Sequence, residues 1–267
     1  MSVESELVAL GVRPRKKLGQ HFLIDRNVME KLVEVADLGP SDTVLEIGAG
    51  TGSLTSIIEK QAGRVVAVEK DPTLTNLLRR KFAKSKNVKI IEGDILKIQL
   101  PKFDKVVSSP PYNISSKLVL LLLKKSFERL VLVLQKEFAE RLVAQSGSRN
   151  YGRLTVMVSH KAYVRLIDIV PRHAFYPTPK VDSAIVKLRP KESRIRVFDE
   201  QLFCDLVREL FTQRRRRLQK VIVRLLRRYG DKRSMLLRRL SIPEKRVYQT
   251  NVEEFETLAN ELYAALR

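Results

Sequence analysis

The stretch Thr43-Val-Leu-Glu-Ile-Gly-Ala-Gly-Thr-Gly52 decides the fold. Its first five residues are a short apolar, β-branched run of the kind that forms a buried strand, and the glycines that follow end it. Helical spacing resumes from Leu54 to Gln61, and Arg64-Val-Val-Ala-Val68 makes a second strand ending at Glu69. Pro72 suits the first turn of a helix that continues to about Phe82. Val88–Ile91 is a third strand before Gly93-Asp94, Lys105–Val107 a fourth running into Ser109-Pro-Pro-Tyr112, and Leu130–Leu134 a fifth. Ser115 is placed to cap a helix through Leu123 between the last two. Strands alternating with helices at this spacing predict an α/β fold with a doubly wound, mostly parallel sheet of Rossmann-like type.

Outside this core, a basic arm spans Arg13 to Lys17. Asp25 is placed to cap a helix over Val28, Leu32 and Val35 that Gly39-Pro40 stops. Tyr163–Val170 and Ala184–Leu188 read as further strands flanking a proline-punctuated loop from Pro171 to Pro179 that holds Phe175 and Tyr176. After about Pro190 the pattern turns helical: Phe198–Phe211, Leu218–Tyr229, Ser234–Leu240 and Val252–Leu266. The expectation is a domain of residues 1–190, with the sheet and the basic arm, and a small C-terminal all-α domain of residues 191–267.

Charge narrows the partner. Fifty-one Lys and Arg against thirty Asp and Glu leave a net +21 over 267 residues. So basic a surface favours a polyanion, because each phosphate neutralised by Lys or Arg releases condensed counterions. Nucleic acid is the expected polyanion, since no lipidation signal or long Lys-rich amphipathic segment points to a membrane. Cys204 is the only cysteine, which excludes intramolecular disulfides and cysteine-cluster zinc sites. His21, His160 and His173 are scattered singly, so no metal is expected. The longest aliphatic run, Leu118–Leu123, is far short of the ~20 residues a membrane span needs. The residues before Leu10 lack the apolar core of a secretory signal, so a cytoplasmic protein is expected, with nothing demanding more than a monomer.

The glycine loop between a strand and a helix lets the backbone approach a ligand closely, with helix-terminal N–H groups facing it. Glu69, about twenty residues further at the next strand's end, is placed to accept ribose hydroxyls. Asp94 ends the third strand on the same edge, in reach of the ligand's base. A dinucleotide fingerprint wants its third glycine one position later, where this chain has Ser53, so a ligand without a pyrophosphate fits better.

Ser109-Pro-Pro-Tyr112 resembles the [Asp/Asn/Ser]-Pro-Pro-[Tyr/Phe/Trp] signature of amino-methyltransferases. The chemistry explains the residue types. An exocyclic amine is a poor nucleophile because its lone pair is delocalised into the ring. Acceptors on its two N–H bonds, the Ser109 hydroxyl and the Pro110 carbonyl, hold that lone pair toward an incoming methyl group. The prolines fix the carbonyl's direction, and Tyr112 offers a face on which a base stacks.

Leu18-Gly-Gln-His-Phe-Leu23, the glycine loop, Glu69, Gly93-Asp94, Pro111-Tyr-Asn-Ile-Ser115 and Phe175-Tyr-Pro-Thr-Pro-Lys-Val-Asp-Ser183 occur in order and at matching spacing. Together they resemble the small-subunit ribosomal RNA adenine dimethyltransferase family over about Arg13 to Leu188. The resemblance implies S-adenosyl-L-methionine as cofactor. It implies transfer of four methyl groups to two neighbouring adenosines in a 3′-terminal hairpin of small-subunit ribosomal RNA, late in assembly of a pre-ribosomal particle. It places cofactor contacts on His21, Leu23, Gly48, Gly50, Glu69, Asp94 and Ser109, and stacks Phe175 on the flipped base opposite Tyr112.

The chain departs from the family pattern at two places. Ser109-Pro110 stands where members usually carry asparagine followed by leucine or isoleucine, and His21 where many carry asparagine. Serine offers one hydroxyl in place of a carbonyl and an amide. Arg214, Arg215, Arg216 and Arg217, with Lys220 and Arg224, cluster one sign of charge and are the expected RNA-phosphate contacts. Two other readings stand beside the enzyme: an assembly factor with little activity, and a related enzyme acting on large-subunit RNA.

Overall fold

The structure, a computed structural model, describes residues 14–15, 19–192, 195–227, 230 and 233–267. Within the predicted basic arm, Arg13, Lys16 and Lys17 lie outside these, as do Leu18 of the motif that follows and Arg228 and Tyr229 at the end of the arginine-rich helix.

The first described elements are a two-residue strand β1 (Phe22–Leu23) and helix α1 (Arg26–Ala36). Asp25 caps α1 by accepting from the N–H groups of Asn27 and Val28. Met29, Leu32, Val33 and Ala36, one face at helical spacing, are buried. The helix stops at Asp37, which adopts a left-handed conformation with φ 53°, before the Gly39-Pro40 pair that the sequence suggests as the stop.

The strands then follow the predicted order: β2 (Thr43–Ile47), β3 (Arg64–Glu69), β4 (Val88–Glu92), β5 (Lys105–Ser108) and β6 (Arg129–Gln135). Between them lie α2 (Thr55–Ile58), α3 (Pro72–Lys81) and α4 (Ser115–Leu122). Asp71 caps α3, with Pro72 in its first turn. Ser115 opens α4 but makes no capping bond; its buried hydroxyl has no hydrogen-bond partner. The sheet order is β4-β3-β2-β5-β6-β9-β7, with β7 (Ala162–Val170) and β9 (Ser183–Pro190). The pairs from β4 to β6 are parallel, and β9 joins β6 antiparallel. β8 (Phe175–Tyr176) pairs with β1 in a separate two-stranded sheet.

The chain divides into two compact units, one of residues up to Ala139 with Tyr163–Pro190, the other Glu140–Ala162 with Lys191–Arg267. The expected single boundary near 190 is therefore joined by two more. Packing explains the excursion. Tyr151 and Val156 share a buried cluster with Phe203, Leu206, Phe255 and Leu262, and the Tyr151 hydroxyl donates to the Thr250 carbonyl at 2.8 Å. The second unit holds α6 (Arg153–Lys161), α7 (Glu200–Phe211), α8 (Leu218–Leu225), α9 (Arg233–Arg238) and α10 (Val252–Leu266); α5 (Lys136–Leu142) carries the chain across the first boundary. In it His160 is buried, with Nδ1 2.7 Å from Glu256 Oε1 and Nε2 3.3 Å from the Glu200 carboxylate. No helix among the described residues is long and apolar enough to cross a membrane.

Candidate active site

One cavity opens at the carboxyl ends of β2 to β5, where open α/β sheets bind ligands. The glycine loop forms its floor. Gly48 has φ +72°, and a Cβ there would come within 3.1 Å of Pro111 Cδ, so the loop lies directly against the Pro-Pro turn. At Gly52, with φ +77°, a Cβ would stand 2.7 Å from Leu78 and Phe82 of the segment behind it. Only glycine satisfies both the backbone conformation and the space.

Glu69 is buried at the end of β3. Its Oε2 accepts from Gly50 N at 2.9 Å, and its Oε1 from Lys70 N at 2.8 Å and Asp71 N at 2.9 Å. Three of the carboxylate's roughly four lone-pair positions are thus taken by the backbone. One remains for a ligand hydroxyl, where the sequence suggests acceptance from ribose hydroxyls generally. Burial holds the Glu69 carboxyl above its usual pKa against those three bonds. Asp94 accepts from Leu96 N at 3.0 Å and from Lys70 Nζ at 3.1 Å. Partial burial raises its pKa, but the Leu96 and Lys70 bonds outweigh that and hold it below the usual carboxylate range.

Glu46 is the residue to which sequence reasoning assigned no role. It lines the cavity, is 2% exposed, and accepts from Thr55 Oγ1 at 2.6 Å. Burial, with the Glu69 charge nearby, pushes it up to about 8. Its position at the end of a buried strand was the available signal, since a carboxylate there cannot face solvent. Three acidic side chains, Glu46, Glu69 and Asp94, therefore line one cavity with Ile47, Val68, Leu74 and Ile95. With Lys70 turned to Asp94, that lining offers carboxyl groups and an apolar wall to a ligand.

His21, Leu23, Gly48, Gly50 and Ser109 also line the cavity, as do Gln20, Pro111 and Asn113. His21 Nδ1 donates to the Pro177 carbonyl at 2.6 Å, and its ring stacks on Tyr112 with centroids 5.6 Å apart and planes 21° from parallel. Ser109 is half-buried at the end of β5, and Ser108 just before it ties that strand to β2 through Ile47 O at 2.6 Å. Pro110 is buried and, like Tyr112, stands outside the cavity lining. The Tyr112 hydroxyl bonds Ser183 Oγ at 2.7 Å, and burial raises its pKa.

Phe175 departs from its expected place. It is 1% exposed, packed with Leu23, Leu32 and Ile185, and outside the cavity lining. Its ring meets Tyr112 edge-on, with centroids 6.2 Å apart and planes 72° from parallel. No parallel slot for a base lies between the two rings as they stand. The cause is the β1–β8 pairing, which sets Phe175 opposite Leu23 and draws its side chain into the core.

In the helical unit, Arg215, Arg216, Arg217, Lys220 and Arg224 are exposed. Arg214 turns inward: Nη2 donates to Arg149 O at 3.1 Å and the guanidinium lies over the Tyr248 ring at 5.7 Å. The run precedes α8 in a turn held to residues 245–248, with Arg217 bridged to Arg246. No group of three or more His, Cys, Asp or Glu residues that could hold a metal occurs among the described residues.

A mostly parallel sheet presenting a glycine loop, two strand-end acids and a Pro-Pro-Tyr turn around one acidic cavity defines a Rossmann-like, S-adenosylmethionine-dependent methyltransferase. Comparison with known proteins narrows the class. The model of the ribosomal RNA adenine dimethylase family matches residues 11–263. The chain therefore belongs to the ribosomal RNA adenine dimethylase family. A "probable ribosomal RNA small subunit methyltransferase A" of Thermococcus onnurineus is 44% identical over 255 residues, covering 93% of this chain and 92% of the relative. The crystal structure of a dimethyladenosine transferase from Plasmodium falciparum superposes with TM-score 0.82 at 33% identity, covering 92% of this chain and 98% of that one. The 23S rRNA methyltransferase ErmE superposes with TM-score 0.68 at 30% identity, covering 91% of this chain and 99% of that one.

Proposed function

We propose that this protein dimethylates the 6-amino groups of two adjacent adenosines in a 3′-terminal hairpin of small-subunit ribosomal RNA, within a late pre-ribosomal particle. The observation that carries the reading is the Ser109-Pro-Pro-Tyr112 turn set against the floor of an acidic cavity. Bound S-adenosylmethionine supplies an electrophilic methyl group on a sulfonium. Glu69 holds a ribose hydroxyl with its remaining lone pair, and Asp94 faces the cofactor's base. Ser109 Oγ and the Pro110 carbonyl would accept from the target amine's two N–H bonds in the first transfer, and one of them from the single N–H left for the second. The lone pair would then point at the methyl carbon, and the sulfonium would leave as a thioether. Methylation leaves a cationic, acidic nitrogen whose proton passes to water, so positioning and electrostatics carry the step without a strong base.

Tyr112 supplies the face on which the flipped adenine stacks, and unstacking it from RNA costs a few kcal/mol that this contact helps offset. His21 now lies on Tyr112, and Phe175 takes up a stacking role only by leaving its packed position. The domain built on the sheet binds the cofactor. Arg215, Arg216, Arg217, Lys220 and Arg224 of the helical unit hold RNA phosphates, positioning rather than reading sequence. The protein acts as a cytoplasmic monomer.

The Thermococcus relative named for small-subunit RNA is 44% identical, where ErmE, named for 23S rRNA, is 30% identical, and this supports small-subunit RNA over large. Labelled S-adenosylmethionine with undermethylated small subunits, followed by nucleoside analysis, tests this. N6-dimethyladenosine at two adjacent positions is expected. Label only in large subunits, or none at all, overturns the reading.

A further inference from the structure

The sheet's other edge, where β2 to β6 begin, carries charge with a different balance. Lys105 at the start of β5 is buried and matched, with Nζ 2.8 Å from Asp42 Oδ2 and 2.7 Å from the Asp37 carbonyl. The register sets Arg129 of β6 beside it. Because β9 runs antiparallel to β6, its last residues reach this same edge: Leu130 pairs with Leu188 and Val131 with Lys187. Arg189 therefore comes opposite Arg129, with Lys187 on the diagonal.

Side-chain alternation fixes the face. Val131 and Ile185 pack with Met29, Leu32 and Val33 of α1, so Arg129, Lys187 and Arg189 share the side on which α1 lies. Ile167 of the neighbouring β7 packs against the same cluster, which brings Arg165 to that side as well. Helix α1 ends there, and Arg129 Nη1 donates to the Ala36 carbonyl at 2.6 Å and to Asp37 Oδ2 at 3.1 Å. Lys187 is half-buried, while Arg165 and Arg189 are exposed, and Tyr163 beside them is 61% exposed.

Like charges opposed across a sheet destabilise it. The strain registers at Lys187, whose ammonium is held below its usual pKa first by burial and then by Arg129, Arg189 and Arg165, with Asp37 opposing. Four cations are thus gathered about Asp37, which Arg129 already engages, while Glu128, another carboxylate at this edge, stands 3.9 Å from Lys105. We infer that this edge is a second docking surface for ribosomal RNA, taking backbone phosphates on Arg165, Lys187 and Arg189. The inference rests on the ribosomal RNA reading of the site. Strands of this length set the edge on the order of 20 Å from the cavity, a span that one folded RNA bridges while it places a base in the cavity.

The test uses full-length protein carrying R165Q, K187Q and R189Q together, with a second variant carrying R215Q and R216Q. Affinity for protein-free small-subunit ribosomal RNA is measured across salt concentration, with cofactor affinity and melting temperature as controls. Each lost phosphate contact should lower the slope of log K against log salt by about 0.7–0.9, so the triple variant should lose about two to three. Cofactor affinity should stay unchanged and melting temperature should hold or rise, because like-charge repulsion is relieved. If R215Q/R216Q weakens binding and the triple variant keeps the parent slope, the second surface is refuted while the RNA reading stands. If neither variant changes binding, the RNA reading itself fails. Unchanged affinity for naked RNA with weakened binding to whole subunits would replace phosphate with an acidic protein surface, and overturn the inference.

Discussion

Glu46→Gln is the substitution whose consequences the structure specifies most fully. The native carboxyl titrates near 8, against the usual 4.5, because it is buried beside Glu69. The folded state therefore holds a proton through a pH range in which the unfolded chain has released it. Stability from this group is complete below about pH 4.5 and is lost as pH climbs toward 8. At about 1.4 kcal/mol per pH unit, the loss over that range is on the order of a few kcal/mol. Glutamine keeps the neutral shape and cannot titrate, so the variant should show a flatter stability profile and be the more stable at pH 8. Binding tests the same charge from the other side. A cationic cofactor beside Glu46 favours the ionised form, and at pH 7 a group of pKa 8 is about nine-tenths protonated. Cofactor binding should then expel up to about 0.9 proton at pH 7 from the native protein beyond whatever the ligand's own amine contributes. Titration calorimetry in buffers of different ionisation enthalpy measures that count, and the difference between native protein and E46Q isolates the residue. Equal proton release by both would refute the reasoning, because Glu46 would then be ionised already or remote from the cationic centre.

Four other substitutions separate the remaining roles. Glu69→Gln turns an amide toward either Gly50 N or the Lys70–Asp71 pair, leaving a buried donor facing donors. A cost of about 1–3 kcal/mol should appear as a lower melting temperature and at least tenfold weaker cofactor binding by calorimetry. Ser109→Ala and Tyr112→Ala should each lower turnover tenfold or more while leaving cofactor affinity within about threefold. Single-turnover rates and equilibrium binding check this, and unchanged rates in both would mean the target base lies elsewhere. His160→Ala removes a buried hydrogen bond, Nδ1 standing 2.7 Å from Glu256 Oε1, so denaturant unfolding should show a loss of about 1–3 kcal/mol. Adding Glu256→Leu should recover part of it; no recovery would mean the pair matters through packing alone.

Strands β2 to β6 are legible in the sequence because each is a short apolar run bounded by glycine, proline or charge, and parallel strands covered on both faces need continuous hydrophobicity. The strand-end positions of Glu69, Asp94 and Ser109 follow directly, since topology alone brings those ends together. What local pattern could not supply was partnership at a distance. The helices at Lys136–Leu142 and Arg153–Lys161 carry no clear local signal, and the apolar residues of Arg153–Lys161 find their partners in helices 40 to 110 positions later. Phe175 among prolines looks available to a ligand until its pairing with Leu23 is known. Arg214 looks like its three neighbours in the run, yet backbone carbonyls at 148–149 claim it. Glu46 reads as one more residue of a glycine motif, and only its burial beside a second acid gives it chemical character.

The excursion of Glu140–Ala162 into the helical unit bears on how the protein is made. Tyr151 and Val156 leave the ribosome long before Phe255 and Leu262 exist to cover them, about a hundred residues later. At ordinary translation speeds that interval is on the order of ten seconds, far longer than local collapse takes. The sheet domain also cannot close with that segment still outstanding, because β7 and β9 follow it in the chain. A nascent chain arrested near Pro190 would therefore carry every strand of the sheet together with an apolar helix that has nowhere to go. Chaperone dependence should be concentrated in that window of synthesis, and a chain cut at 190 should aggregate unless the excursion is removed with it.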